Sequence, residues 1–347
     1  MPLLDLLLGR SLASDEARAE CVGAAAGIPI FGLDALSSAA YGGGCLDAAH
    51  SSWCGGHCVY GSDQCHIIVL LIVVYFSYRQ TIQAYPAGGG SYTVARQNLG
   101  VSAGLLAAAA LMIDYVLVVA VGISAGVGAL VSAVPSLQPH TLALCLGILV
   151  LITLINLRGV RETGLIFMAP TYLFVGSLFV AIAIGVFKAF TAGGHPLPIE
   201  PLPRIAIATA APSAWLILQA LASGCTAMTG VEAVSNGVKA FREPVIATAR
   251  RTLTINIALL IVMLAGIAYL VRAYGIEATV PGARGYQSVL SMLLAAVAGR
   301  GVFYYVSSGS ILLVLALSAN TAFADFPRLC RAVAQNNYLP HSFATRG

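Results

Sequence analysis

The chain has 347 residues, 9% charged and 59% apolar, with a formal net charge of +4. Soluble domains carry about 25% charged residues, and the mean hydropathy here is +0.88, so a water-exposed globule is excluded and a bilayer protein is expected. No basic patch interleaved with aromatics points to nucleic acid. No nucleophile–base pair or nucleotide motif points to an enzyme, and neither a cofactor nor a resident metal is expected.

Residues 1–21 hold one short apolar run, Leu3 to Leu8, followed by Arg10, Asp15, Glu16, Arg18 and Glu20. Without a clear cleavage pattern this reads as a retained cytoplasmic segment, not a signal peptide. Eight spans follow, at 22–41, 67–85, 102–134, 140–157, 164–190, 211–238, 251–273 and 301–326, most of them near the roughly 20 residues that cross a bilayer. Gln287 to Val297 is too short to cross and reads as an interfacial helix. Lys and Arg gather after the even-numbered spans: Arg79, Arg96, Arg158, Arg161, Lys239, Arg242, Arg250, Arg251, Arg328 and Arg331. By the positive-inside rule the N-terminus is expected inside a multi-pass protein of the cytoplasmic membrane. Arg79 and the Gly88-Gly89-Gly90 turn read either as parts of a cytoplasmic gate or as an ordinary anchor and a flexible turn. The turn is not a phosphate loop, because it lacks the Gly-Lys-Ser/Thr ending.

The first span carries an acid near its middle. An ionisable group in such a segment is costly and marks a functional site. Gly32-Leu33-Asp34-Ala35-Leu36-Ser37-Ser38 also reads against Gly230-Val231-Glu232-Ala233-Val234-Ser235-Asn236 in the sixth span, identical or conservatively replaced at every position. Paired, Gly-interrupted segments in two halves of a chain point to a transporter's binding site. Helix breaks are expected at Gly32 and Ser37 in one segment and at Gly224 and Gly230 in the other, since unwound backbone survives in lipid only where it faces protein or a cavity. The competing reading of those small residues is close helix packing. Asp114 lies mid-span in the most apolar setting of the three acids. Proton coupling is assigned to Asp34, Asp114 and Glu232, with local hydrogen bonding as the plainer role.

Residues 42–66 fit poorly. They hold Cys45, Cys54, Cys58, Cys65, His50, His57 and His66 between two membrane segments. A zinc site and a disulfide loop are open readings, but the ligand spacing is irregular. The preferred reading is a paired frame error. Back-translation shifted by one base permits EAALTLLIPLGAAGTVFMVPISVI, an apolar segment running into the second span.

FGLDALSSAAYG, YFSYRQTIQAYPAGGGSYTVARQNLG, IDYVLVVAVGISAG and SGCTAMTGVEAVSNGVKAFREP resemble the amino acid–polyamine–organocation (APC) superfamily, most nearly its KimA-like, potassium-importing branch. The resemblance covers nearly all of the chain except 42–66. It implies an all-α polytopic protein with the LeuT/APC-type five-plus-five inverted repeat, alternating access and proton coupling. On that pattern 1–21 is the N-terminal segment, 22–192 the first repeat and 193–347 an incomplete second repeat, so the chain is expected to be truncated after about eight spans. The resemblance further implies a cation site at Asp34, Tyr41, Tyr115 and Thr229. Val118 and Gly122 stand where that branch has hydroxyls, which weakens a potassium site and keeps an amino-acid substrate open. The function expected is a secondary active permease for potassium or an amino acid, and the alternative is a nonfunctional fragment of a damaged gene. Partners expected are that small-molecule or ion substrate and the lipid bilayer, with a homodimer left open and no nucleic acid. Resequencing the coding DNA checks the frame reading: an apolar frame across 42–66 is expected, and peptides matching the written stretch would overturn it.

Overall fold

A computed structural model describes residues 22–41, 60–86, 88, 90–157, 164–203, 215, 218, 222, 224–279, 282–283 and 285–344, with side chains from His66 and Met168 onward in the helices that begin at Tyr60 and Gly164. The N-terminal segment 1–21 and residues 42–59 of the suspect stretch lie outside the described residues, as do Arg158, Arg161 and Ser223.

Among the described residues ten α-helices succeed one another: α1 Ala24–Ser37, α2 Tyr60–Ala84, α3 Ser91–Leu99, α4 Val101–Ala133, α5 Thr141–Leu157, α6 Gly164–Thr191, α7 Ala233–Asn236, α8 Val245–Tyr274, α9 Val289–Ala298 and α10 Val302–Gln335. No sheet joins them among the described residues; a lone parallel bridge pairs Val22 with Phe241. Six of the helical segments are long and apolar enough to cross a membrane, and Ala24–Ala40 is a shorter apolar helix. Val69, Val73, Phe76, Leu106, Ile113 and Phe187 are exposed, as the lipid-facing side of a membrane protein requires.

Local chemistry sets several boundaries. Ser288 caps α9, its Oγ accepting from the Ser291 N–H at 3.3 Å. Gly275 closes α8 in the left-handed conformation, while the Ile276 N–H reaches back to the Val271 carbonyl. Pro29 sits inside α1 and has no N–H for the carbonyl four residues earlier. That carbonyl, of Ala25, accepts instead from the Tyr172 hydroxyl of α6 at 2.8 Å.

The structure corrects several expectations. α2 begins at Tyr60, well before 67, and α8 at Val245 instead of 251. The polar stretch after Gly90 forms helix α3, whose Tyr92 is buried. The segment read as interfacial is α9, and Val289 to Val297 are all buried, so it packs inside the protein. The last helix passes Pro327 and runs on to Gln335. The sixth span is not one rod. After helical Trp215, Leu218, Ala222 and Gly224, its described part runs through a 3-10 turn at Cys225–Met228, an extended Thr229, the short α7, and a second 3-10 turn at Val238–Ala240.

Tyr172→Phe is expected to cost about 1–3 kcal/mol in thermal unfolding in a membrane mimic, because the Ala25 carbonyl is left unpaired. In a Pro29→Ala background, which restores the missing N–H, the same change should cost measurably less. Equal costs in both backgrounds would show that the hydroxyl does not compensate the proline.

Candidate functional site

The site is built where α1, the 229–232 turn, α4 and α10 meet. Asp34 is 7% exposed, near the end of α1. Its Oδ1 accepts from the Ser318 hydroxyl of α10 at 2.7 Å. Its other side rests on Gly230, where an added Cβ would stand 2.6 Å from both the Asp34 Cβ and Oδ2. Gly230 has φ +82, so glycine is required twice there, for the backbone and for the carboxyl.

Glu232 is 8% exposed and lies two residues beyond Gly230, as the residue before α7. Asp34, Asp114 and Asp325 lie within electrostatic reach of it, and Asp114 and Asp325 within reach of Asp34. Tyr115 of α4 is buried, and all four acids act on its hydroxyl. Asp114 beside it is half-buried. Asp325 of α10 accepts from Arg328 Nη1 at 2.9 Å.

The two matched segments differ in form. α1 stays helical through Gly32 and Ser37, then tightens into a 3-10 turn at Ser38–Ala40 and ends at the buried Tyr41. Gly32 is thus not a break. A Cβ there would fall inside the Asn256 carboxamide of α8, so the glycine admits a neighbouring helix. Nor is Gly224 a break, since its backbone is right-handed helical. The true interruption is at Thr229, which is extended (ψ 142), and Gly230. The Ser37 hydroxyl donates to the Asp34 carbonyl at 2.9 Å, and that of Ser38 lies 2.8 Å from the Ala227 carbonyl just before the break. Only Ser38 therefore reaches across to the other segment, and its hydroxyl also lies 2.6 Å from the Ala35 carbonyl of its own helix.

Three residues escaped the sequence reading. Ser318 is an ordinary serine in an apolar span, and only its neighbours Asn320 and Thr321 hint at a polar patch. Asp325 stands at the end of the eighth span, next to Arg328 and Arg331, and was not singled out. Asn256 is 2% exposed, and neither side-chain amide atom has a hydrogen-bond partner, which leaves a donor and an acceptor to offer a ligand. Gly88 and Gly90 seat Asn236, whose Oδ1 would lie 2.6 Å from a Cβ at Gly90. The turn thus packs on the end of α7. Val118 is buried, and a Cβ at Gly122 would stand 3.3 Å from the Leu315 carbonyl, so α10 fills the space a hydroxyl side chain would take. A separate hollow of about 500 Å³ between α4, α5 and α10 touches Tyr115, but Val119, Ile123, Leu146, Leu149 and Phe323 make it apolar and none of the acids lines it.

Buried acids gathered at an interrupted helix define a polytopic helical membrane protein with an internal polar site. The sequence pattern of the amino acid permease family matches residues 39–347, and the chain belongs to that family. It is 38% identical over 349 aligned positions to the potassium transporter KimA of Bacillus subtilis (strain 168), a match covering 98% of this chain and 55% of that protein. The chain thus spans about half the length of that relative.

Gly230→Ala is expected to lower stability by about 1–3 kcal/mol through backbone strain alone, with further loss as Asp34 is displaced. Gly309→Ala, where a Cβ meets nothing within 4 Å, is the control. Matching melting temperatures for the two variants would show that Gly230 is not constrained.

Proposed function

We propose that the protein acts in secondary active transport, taking up a small solute across the cytoplasmic membrane with protons as the coupling ion. The observation that carries this reading is the Asp34 carboxyl, enclosed between the Ser318 hydroxyl and the Gly230 turn. An acid held at a helix interruption inside a membrane protein is where ion and proton binding are expected.

Potassium is the preferred substrate. The relative is named a potassium transporter, and the charges around Tyr115 favour a cation. A free carboxylate, as an amino acid carries, would meet repulsion from four acids there. Asp34, Tyr41, Tyr115 and Thr229 are the proposed cation ligands. Asp34, Asp114 and Glu232 are the proposed proton-linked groups. The second reading, an amino-acid substrate, is favoured by one observation: Val118 and Gly122 offer no oxygen, and a dehydrated potassium ion needs several. The arginines and lysines after the even-numbered spans support a cytoplasmic N-terminus. Membership of a permease family also argues against catalysis as the main activity.

Uptake into proteoliposomes of labelled rubidium, as a potassium surrogate, and of a panel of labelled amino acids separates the readings. Saturable rubidium uptake that collapses with the proton gradient is expected. Asp34→Asn should abolish it without loss of folded protein, because the amide keeps an acceptor for Ser318. Uptake of an amino acid without rubidium would replace the potassium reading, and undiminished rubidium uptake by Asp34→Asn would remove that carboxyl from the mechanism.

A further inference from the structure

Outside the central site a polar cluster lies on the outer face of α2 and α8. Arg79 Nη1 donates to the Tyr75 hydroxyl at 2.8 Å, and its guanidinium carbon lies 6.0 Å from the centre of the Tyr75 ring. The Tyr75 hydroxyl is 3.1 Å from Thr254 Oγ1. Thr254 spends its own proton on the Arg250 carbonyl at 2.8 Å, so Tyr75 is the donor in that contact and the chain of bonds has one direction. It links α2 to α8 and leaves Arg79 with further N–H groups facing outward. Arg250 lies within electrostatic reach of the same tyrosine. Its Nε is shut off from solvent and has no hydrogen-bond partner. Among the described residues neither arginine has a carboxylate partner. Two guanidinium groups thus flank one hydroxyl pair, and neither is neutralised by an acid among the described residues. Guanidinium groups left in that state favour an anion such as a phosphate.

Depth identifies the anion. α8 has 30 residues, roughly 45 Å at about 1.5 Å per residue, against a hydrocarbon core of about 30 Å. If the excess is shared between its ends, the helix projects about 7–8 Å on each side. Arg250 is five residues into α8 and Arg79 five residues before the end of α2, so both guanidinium groups reach the level of the lipid phosphates. The surface next to them toward the bilayer centre is apolar. Phe76 and Val73 of α2 are 55% and 59% exposed, and Val262 continues the Arg250–Thr254 stripe of α8. An acyl chain fits that bed and a free ion has no use for it. We propose that Arg79, Arg250, Tyr75 and Thr254 form a binding site for the phosphate headgroup of an anionic lipid. Its occupant braces α2 against α8 at the end of the protein where the Gly88–Gly90 turn meets Asn236.

The test uses the purified protein in nanodiscs of phosphatidylcholine doped with phosphatidylglycerol, with retained lipid counted by native mass spectrometry. Preferential retention of phosphatidylglycerol is expected. Each of Arg79→Gln and Arg250→Gln should lower it about fivefold, and the pair about thirtyfold. Unchanged melting in pure phosphatidylcholine establishes that the variants fold. If the double glutamine variant does not fold, Arg79→Lys/Arg250→Lys replaces it, and it should retain less than the parent because the forked donors are lost. Retention equal to the parent in a folded variant overturns the proposal. Displacement of the lipid by inorganic phosphate at equal concentration also overturns it, in favour of a site for free phosphate.

Discussion

The interaction on which the site depends is the seating of the Asp34 carboxyl between a serine and a glycine. Ser318 gives one oxygen a hydrogen bond, and Gly230 gives the other room. Neither neutralises a charge. A carboxylate in such surroundings is held by geometry without a counter-ion, which is costly in an apolar interior. The surrounding elements make that placement possible. α10 supplies the hydroxyl, the left-handed backbone at Gly230 turns the chain aside, and the Ser38 hydroxyl engages the Ala227 carbonyl where the helix gives way. Membrane backbone needs such partners wherever the helical ladder stops.

The two matched segments share residues and differ in what those residues do. In the first, the motif glycine admits Asn256 and the helix is unbroken; in the second, it turns the chain and the helix ends. The first segment also carries Pro29, whose lost hydrogen bond is made good from outside by Tyr172. An internal likeness at the level of sequence therefore becomes an unequal pair in space, with one rigid member holding the acid and one interrupted member receiving it. Val22 and Phe241 join the pair at the other end through the parallel bridge, and Phe31 stacks on Phe241 with ring centres 4.8 Å apart.

The long helices were legible because hydropathy over twenty residues is a strong, local signal, and Asp34 and Glu232, both buried in the structure, stood out because acids are scarce in such segments. A break was expected at both Gly32 and Gly230, but the chain is interrupted only at Gly230 and runs on as helix through Gly32, although the two glycines occupy matching positions. What separates them is the neighbour, an asparagine on α8 in one case and the Asp34 side chain in the other, and no local pattern encodes a neighbour. Ser318 and Asn256 were missed for the same reason. α3 was missed because its sequence, SYTVARQNL, is polar and short, and Tyr92 gains burial only from packing against other helices. The burial of α9 likewise follows from what surrounds it, since an apolar ten-residue helix reads the same at a lipid surface and inside a protein.

The arrangement of charge constrains what the site can admit. Asp114 and Asp325 act on both Asp34 and Glu232 across a largely apolar region, and Arg328, paired with Asp325, is mostly exposed. Four carboxylates cannot all stay ionised there without positive charge brought in from outside. Under the proposed transport reading, protons or a cationic solute would supply it, and either would change the field at Tyr115, which lies within reach of all four. In that reading coupling belongs to the cluster and not to a single acid. Val118 and Gly122 carry no side-chain oxygen, so in the proposed site the carboxyl groups and the tyrosines are the donors available. At Gly122 the Leu315 carbonyl of α10 lies 3.3 Å from where a Cβ would stand, so α10 packs closely on α4 there.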